Sequence, residues 1–233
     1  MSSERTFQPD FRGRIDYGAA WDLQKDLVAQ RMAELGLAHQ LLLLEHPHTY
    51  TLGRHADESN LLFNDAQLAQ KGISVFHVDR GGDITYHGPG QLVGYPIMYL
   101  ERLYGRGLGR TRQYVTAIEQ TLLNTLHHFG IPADRFEGFR GVWVDGVNGL
   151  NKLAAIGVYV NKAGLSSHGF ALNVHTDLSY FDGIVPCGID DHGVTSMSVE
   201  LGRSVTFDEV LPVLIQQFSV VFQLQAQPEG LSL

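Results

Sequence analysis

One cysteine, Cys187, stands in the run Ile184-Val185-Pro186-Cys187-Gly188-Ile189, and one lysine, Lys152, opens the apolar run Leu153-Ala154-Ala155-Ile156-Gly157-Val158. A lone thiol cannot close an internal disulfide. Proline and glycine on either side give it turn-forming surroundings, which hold a side chain near the surface of a site. A lysine that leads into a buried strand needs a partner or a task. An ammonium within about 4–6 Å lowers a thiol pKa by about 1–3 units. The pair is therefore a recipe for a thiolate nucleophile and acyl transfer through a thioester. The plain alternatives are a cysteine that fills core space and a lysine whose stem covers apolar surface.

The second chemical constellation is glycine-rich. Arg80, Gly81, Gly82, Asp83, Ile84, Thr85, Tyr86 and His87 are followed by Gly88-Pro89-Gly90-Gln91, placing four glycines in ten residues. It lacks the Gly-Lys-Ser/Thr of a phosphate-binding loop and the spacing of a dinucleotide fingerprint. Paired glycines allow a ligand close to the backbone, Arg80 suits a carbonyl, carboxylate or phosphate, and Tyr86 and His87 offer polar tips on apolar bodies. A glycine-rich turn into a strand is the simpler reading. Further on, Arg102, Arg106, Arg110 and Arg112 face only Glu101 within the segment. That segment is either a solvated loop or a dock for an acidic protein or a phosphate group. His46, His48 and His55 lie close together, but their spacing is weak as a metal-ligand pattern.

These residues need a scaffold. An amphipathic helix is expected over 17–35, with Trp21, Leu27, Val28, Met32 and Leu35 on one face. Strands are expected at 40–44, 73–78 and 91–99, with a small helix between Asn64 as N-cap and Gly72 as stop. A long helix over 111–129 carries Val115, Ile118, Leu122 and Leu126. Strands at 141–145, 152–160 and 167–174 follow, and a last helix starts at Thr206 with Glu209 completing a capping box. Strands in hairpins with flanking helices predict an α+β fold on a mixed or antiparallel sheet. The 233 residues are expected to form one domain, with flexible tails at about 1–12 and 225–233.

Composition narrows the class. The net charge of −8 argues against a nucleic-acid partner. No apolar run reaches membrane-spanning length, and the first residues carry no apolar signal segment. A cytoplasmic monomer is the expectation.

The ordered motifs then meet a family. Arg80 through Ile97, Gly141 to Val144, Lys152 to Val158, His168 to Val174, Ile184 to Ile189 and Gly193 to Ser196 together resemble the lipoyl(octanoyl) transferases, over roughly residues 15 to 215. The resemblance implies the mixed-sheet catalytic fold shared with biotin and lipoate protein ligases. It implies transfer of an octanoyl group from octanoyl-acyl-carrier protein to a lysine of lipoyl domains, including those of 2-oxoacid dehydrogenase complexes and the glycine cleavage H protein. It implies no cofactor beyond the phosphopantetheine on the carrier. Residue by residue, Cys187 matches the acyl-thioester nucleophile and Lys152 the lysine that lowers its pKa. Arg80–His87, Ala155-Ile156-Gly157 and Gly169-Phe170-Ala171 match the substrate-binding segments. His168 lies beside them, where a structural hydrogen-bonding role is an equal reading. The chain departs from the pattern at the turn 145–151, at the hairpin tip 161–167, which lacks an expected tryptophan, and at Tyr159, where a basic residue is common. The rival on the same fold is an ATP-dependent ligase, which activates a free acid as an adenylate and needs no nucleophilic thiol.

Overall fold

The computed structural model describes residues 5–146, 149–185 and 192–227. In chain order the elements are β1 (Thr6–Arg14), α1 (Tyr17–Ala33), β2 (His39–Glu45), β3 (Thr49–Leu52), α2 (Asp65–Lys71), β4 (Ser74–His77), β5 (Ile84–His87), β6 (Gln91–Ile97), α3 (Leu100–Tyr104) and α4 (Arg110–His128). There follow β7 (Ala133–Phe136), β8 (Phe139–Gly146), β9 (Gly149–Val160), β10 (Ser166–Asn173), β11 (Gly193–Val194), α5 (Met197–Leu201), α6 (Phe207–Phe222) and β12 (Gln225–Ala226). One sheet runs β12-β1-β2-β6-β10-β9-β8-β7, with β11 added to β9. A second, three-stranded sheet runs β4-β3-β5. Both mix parallel and antiparallel pairs: β1 is parallel to β2 and β12, and the hairpin β9–β10 is antiparallel. The α+β expectation and the mixed sheet are both met.

Local sequence explains the helix ends. Asn64 and Gln67 close a reciprocal capping box on α2, and Gly72 stops it in the left-handed conformation. Thr206 and Glu209 do the same at the start of α6. Helices α4 and α6 pack together over one face of the large sheet. Ile118, Leu122, Leu126, Leu214 and Phe218 are buried there among Leu43, Leu92, Leu153 and Leu172. Burial of this kind contributes roughly 1.5–3 kcal/mol per large side chain.

Three expectations need correction. The N-terminal stretch taken for a tail contains β1, whose Phe7 is fully buried. It is held by parallel pairing to β2, a partner more than thirty residues away. Likewise Gln225 and Ala226 pair with β1 rather than fraying, while residues 228–233 lie outside the described residues. On α1 the buried positions are Tyr17, Ala20, Gln24 and Arg31; of the expected face Leu27 and Val28 pack against the core, whereas Met32 is 54% exposed and Leu35, past the end of the helix, 42%. The polar members of that stripe turn inward because they have partners. Gln24 accepts from the His168 amide, and the Arg31 guanidinium donates to the carbonyls of Leu27 and Ala38.

Candidate active site

A cavity of about 210 Å³ opens where the glycine-rich segment crosses the β9–β10 hairpin. Its walls include Arg80, Gly81, Gly82, Asp83, Ile84, Thr85 and His87 from the segment, and Lys152, Ala155, Ile156, Gly157, Gly169, Phe170 and Ala171 from the hairpin. The close approach of these parts demands glycine. The Gly81 amide donates to the Val158 carbonyl at 3.0 Å, and a Cβ on Gly157 would lie 2.9 Å from the Gly81 carbonyl oxygen. Across the next strand Phe170 pairs with Gly94, and its ring lies where a Cβ on Gly94 would sit.

Lys152 is buried among these walls, with Nζ 4.6 Å from the centre of the Trp143 ring. Strand β11 runs parallel beside it, Val194 opposite Lys152, and the Thr195 amide donates to the Lys152 carbonyl at 3.0 Å. Cys187 lies outside the described residues. The chain on its N-terminal side is held where the Val185 amide donates to the Asn60 carbonyl at 2.8 Å and Ile184 bridges Leu61. On its C-terminal side Val194 itself lines the cavity.

The glycine-rich segment divides its labour differently from expectation. Arg80 donates to the Thr51 carbonyl at 2.6 Å and to its hydroxyl at 2.8 Å, so this guanidinium also ties the segment to β3. Both Asp83 oxygens are engaged, Oδ1 by the amides of Asp57 and Ile84 and Oδ2 by Asn60 Nδ2 at 2.6 Å. Through Asn60, Asp83 holds the carbonyl that grips Val185. Tyr86 does not line the cavity. It stacks instead on Tyr180, whose ring lies 3.8 Å from that of His48. The Tyr86 hydroxyl bonds to His48 Nδ1 at 2.8 Å. Of the expected segment Arg80–His87, Tyr86 is the residue absent from the cavity wall.

Gln91 and Asn173 escaped the sequence as site residues. His87 Nδ1 donates to Gln91 Oε1, Gln91 Nε2 donates to Asn173 Oδ1, and Asn173 Nδ2 donates to the Thr195 carbonyl, at 2.9, 3.0 and 3.0 Å. This rail of buried groups runs under the cavity to the strand beside Lys152. Burial holds the His87 pKa well below its ordinary value, so the ring is neutral. His168 takes the left-handed conformation at φ +55°, which costs roughly 1–3 kcal/mol in a non-glycine residue. It is fixed there by Gln24 and by Asp79, whose Oδ1 accepts from Nε2 at 2.8 Å. Burial, outweighing the Asp79 carboxylate, lowers the His168 pKa, and the hydrogen bond from the ring lowers that of Asp79. The result is a neutral imidazole on an anionic carboxylate. These hydrogen bonds hold the His168 ring in place at the cavity wall. His46 donates to the Ile15 carbonyl and accepts from the Tyr95 hydroxyl, both at 2.8 Å, and burial pushes its pKa down to about 4. No group of three His, Cys, Asp or Glu residues able to hold a metal occurs among the described residues. At Tyr159, the position without its expected basic residue, the Arg54 guanidinium lies 4.4 Å over the ring and returns a positive charge to that spot.

Residues 16–219 match the family model of the lipoyl protein ligase A/B catalytic domain. The chain belongs to that family. Within it the relatives are octanoyltransferases. The one of Chloroflexus aurantiacus (strain ATCC 29366 / DSM 635 / J-10-fl) is 45% identical over 98% of this chain and 100% of its own length. The one of Koribacter versatilis is 48% identical over 91% of this chain and 83% of its own. At this similarity over nearly the whole chain, the protein is an acyltransferase enzyme of the octanoyltransferase family. The fold is that of the lipoate protein ligases. A bi-partite lipoate protein ligase from Thermoplasma acidophilum superposes with a TM-score of 0.75 at 18% identity, covering 98% of this chain and 88% of the other. No described helix of this family member is long and apolar enough to cross a membrane.

Proposed function

We propose that this octanoyltransferase takes an octanoyl group from an acyl-carrier protein thioester and delivers it to a lysine of lipoyl domains, through a thioester on Cys187. The observation that carries the reading is the register of β11. It ties Val194, seven residues beyond Cys187, to the backbone of Lys152 at the cavity wall. The walls suit the acyl group: Ile84, Ala155, Ile156, Val158, Phe170 and Phe181 are apolar. Burial at about 0.8 kcal/mol per CH₂ favours an eight-carbon over a four-carbon chain by roughly 3 kcal/mol.

In this reading Lys152 holds Cys187 as a thiolate. Sγ attacks the thioester carbonyl, the bond to the carrier sulfur breaks, and the departing thiolate takes the Lys152 proton. The acceptor amine then attacks octanoyl-Cys187. Its nitrogen–carbon bond forms, the carbon–Sγ bond breaks, and the amine proton passes to the now neutral Lys152, restoring the ion pair. No step uses ATP or another cofactor.

Intact-protein mass spectrometry after mixing with octanoyl-acyl-carrier protein, without ATP, tests this. One octanoyl group is expected on the wild type, released by hydroxylamine or by apo lipoyl domain, and none on Cys187→Ser. Modification of the lipoyl domain only when ATP and free octanoate are supplied would sink the thioester route in favour of a ligase.

A further inference from the structure

We propose that the loop 105–109 and the first turn of α4 form the docking surface for the acidic protein that carries the acyl donor, an inference that rests on the function proposed above. Leu108, at the tip, is fully exposed, more so than any other large hydrophobic residue described. The glycines around it, Gly105, Gly107 and Gly109, have φ of +70°, +152° and +90°, with open space where side chains would stand. Backbone of this conformation lifts the loop off the body of the protein, and folding gains nothing from the leucine it displays.

Charge specifies the kind of partner. Arg106 and Arg110 converge on Glu101, which also accepts from the Tyr99 hydroxyl. The Arg106 side chain remains 90% exposed, and Arg112 is exposed as well. Glu101 is the only carboxylate from residue 100 to residue 118, against four arginines, in a chain of net charge −8. The N-terminus of α4 adds its partial positive charge, since Gly109 supplies no side-chain cap. An acidic surface with an apolar contact fits this patch.

Position specifies the role. Thr111 and Val115, on the same helix, line the cavity, and exposed Thr111 and Arg140 mark its mouth. A donor on a long thiol arm seats its protein body off the mouth and threads the arm inward. An acceptor lysine has a short side chain and must bring its own turn to the mouth. A raised basic loop beside the opening therefore suits the donor.

The test compares wild type with the double variant Arg106→Glu and Arg112→Glu. Single-turnover acylation is measured with octanoyl-acyl-carrier protein and with octanoyl-pantetheine over a range of salt. The rate from the carrier should fall about 10- to 100-fold and lose its salt dependence. The rate from octanoyl-pantetheine and the later transfer to lipoyl domain should stay within about twofold, and the double Arg-to-Lys variant should keep most of the carrier rate. An unchanged carrier rate, an equal loss with both donors, or a loss confined to the lipoyl-domain step overturns the assignment. So does a variant whose only change is in self-association. If neither donor acylates the wild type, the thioester function fails. The surface is then judged by titrating carrier protein directly onto wild type and variant, with equal affinities counting against it.

Discussion

The layer under α4 and α6 and the region between α1 and the three-stranded sheet are both buried, yet they are built from opposite materials. The first is aliphatic and aromatic. Its few hydroxyls, such as Thr121 and Thr125, are satisfied by carbonyls of their own helix. The second buries His46, His87, His168, Arg80, Gln91 and Asn173, each with a named partner. A buried polar group without a partner costs about 1–3 kcal/mol, so such a network survives only where something uses its order. The difference teaches where the molecule stores stability and where it stores geometry. The cavity lies in the second region, and its apolar walls are presented by a polar frame.

This contrast can be broken at several points. Truncation in the dry layer, Leu122→Ala, should cost about 2–5 kcal/mol in chemical denaturation and leave kcat/KM within about twofold. A large kinetic change at retained fold would show that the layer does more than support. Acid should act through the polar region instead. The folded state keeps His46 neutral with a pKa of about 4, against an ordinary value of 6.5. The unfolded chain takes up that proton first, so this contribution is complete above pH 6.5 and is lost as pH falls toward 4. It amounts to roughly 3 kcal/mol by linkage. Melting temperatures between pH 8 and 4 should show the decline, and His46→Asn should make it shallower, His87 and His168 supplying the rest; an identical profile for the variant would remove His46 from the account.

Gly157→Val places side-chain atoms against the Gly81 carbonyl and Arg80. A displacement of about 1 Å costs on the order of 100-fold in rate, so acyl transfer should fall by that much while far-UV dichroism is retained. Full activity would mean that the two segments need not touch. The smallest effect is expected from Lys152→Met, about 10- to 30-fold at pH 7. On the proposed mechanism this follows from the loss of the ammonium that would hold Cys187 as a thiolate. The deficit should shrink toward pH 9, and a deficit independent of pH would point to positioning rather than thiol activation.

Much of the fold was legible locally. Asn64, Gly72, Thr206 and Glu209 mark helix ends that the structure reproduces, because a cap is decided within four residues. The hairpin β9–β10 was equally plain from its alternation of strand runs and turn residues. Strand β1 was not, since Phe7 to Phe11 carry no signal except the distant partner that pairs with them. The orientation of Tyr86 was not legible, because the motif names the residue but only its tertiary packing against Tyr180 and His48 decides which way it points.

The amino-acid sequence by itself determined the reactive types and their order: one thiol, one lysine at the head of a strand, a glycine-rich segment and a family pattern. It also fixed the local elements, whose free energies depend on near neighbours. Only the tertiary structure decided that Asp79 orients His168, that Gln91 and Asn173 join His87 to the strand beside Lys152, and that Asp83 and Tyr86 carry hydrogen bonds that brace the segment. The physical reason is that a hydrogen bond between residues eighty positions apart has no trace in either residue's surroundings along the chain. It exists only once the sheet has brought both into a space without water, where each must find the other.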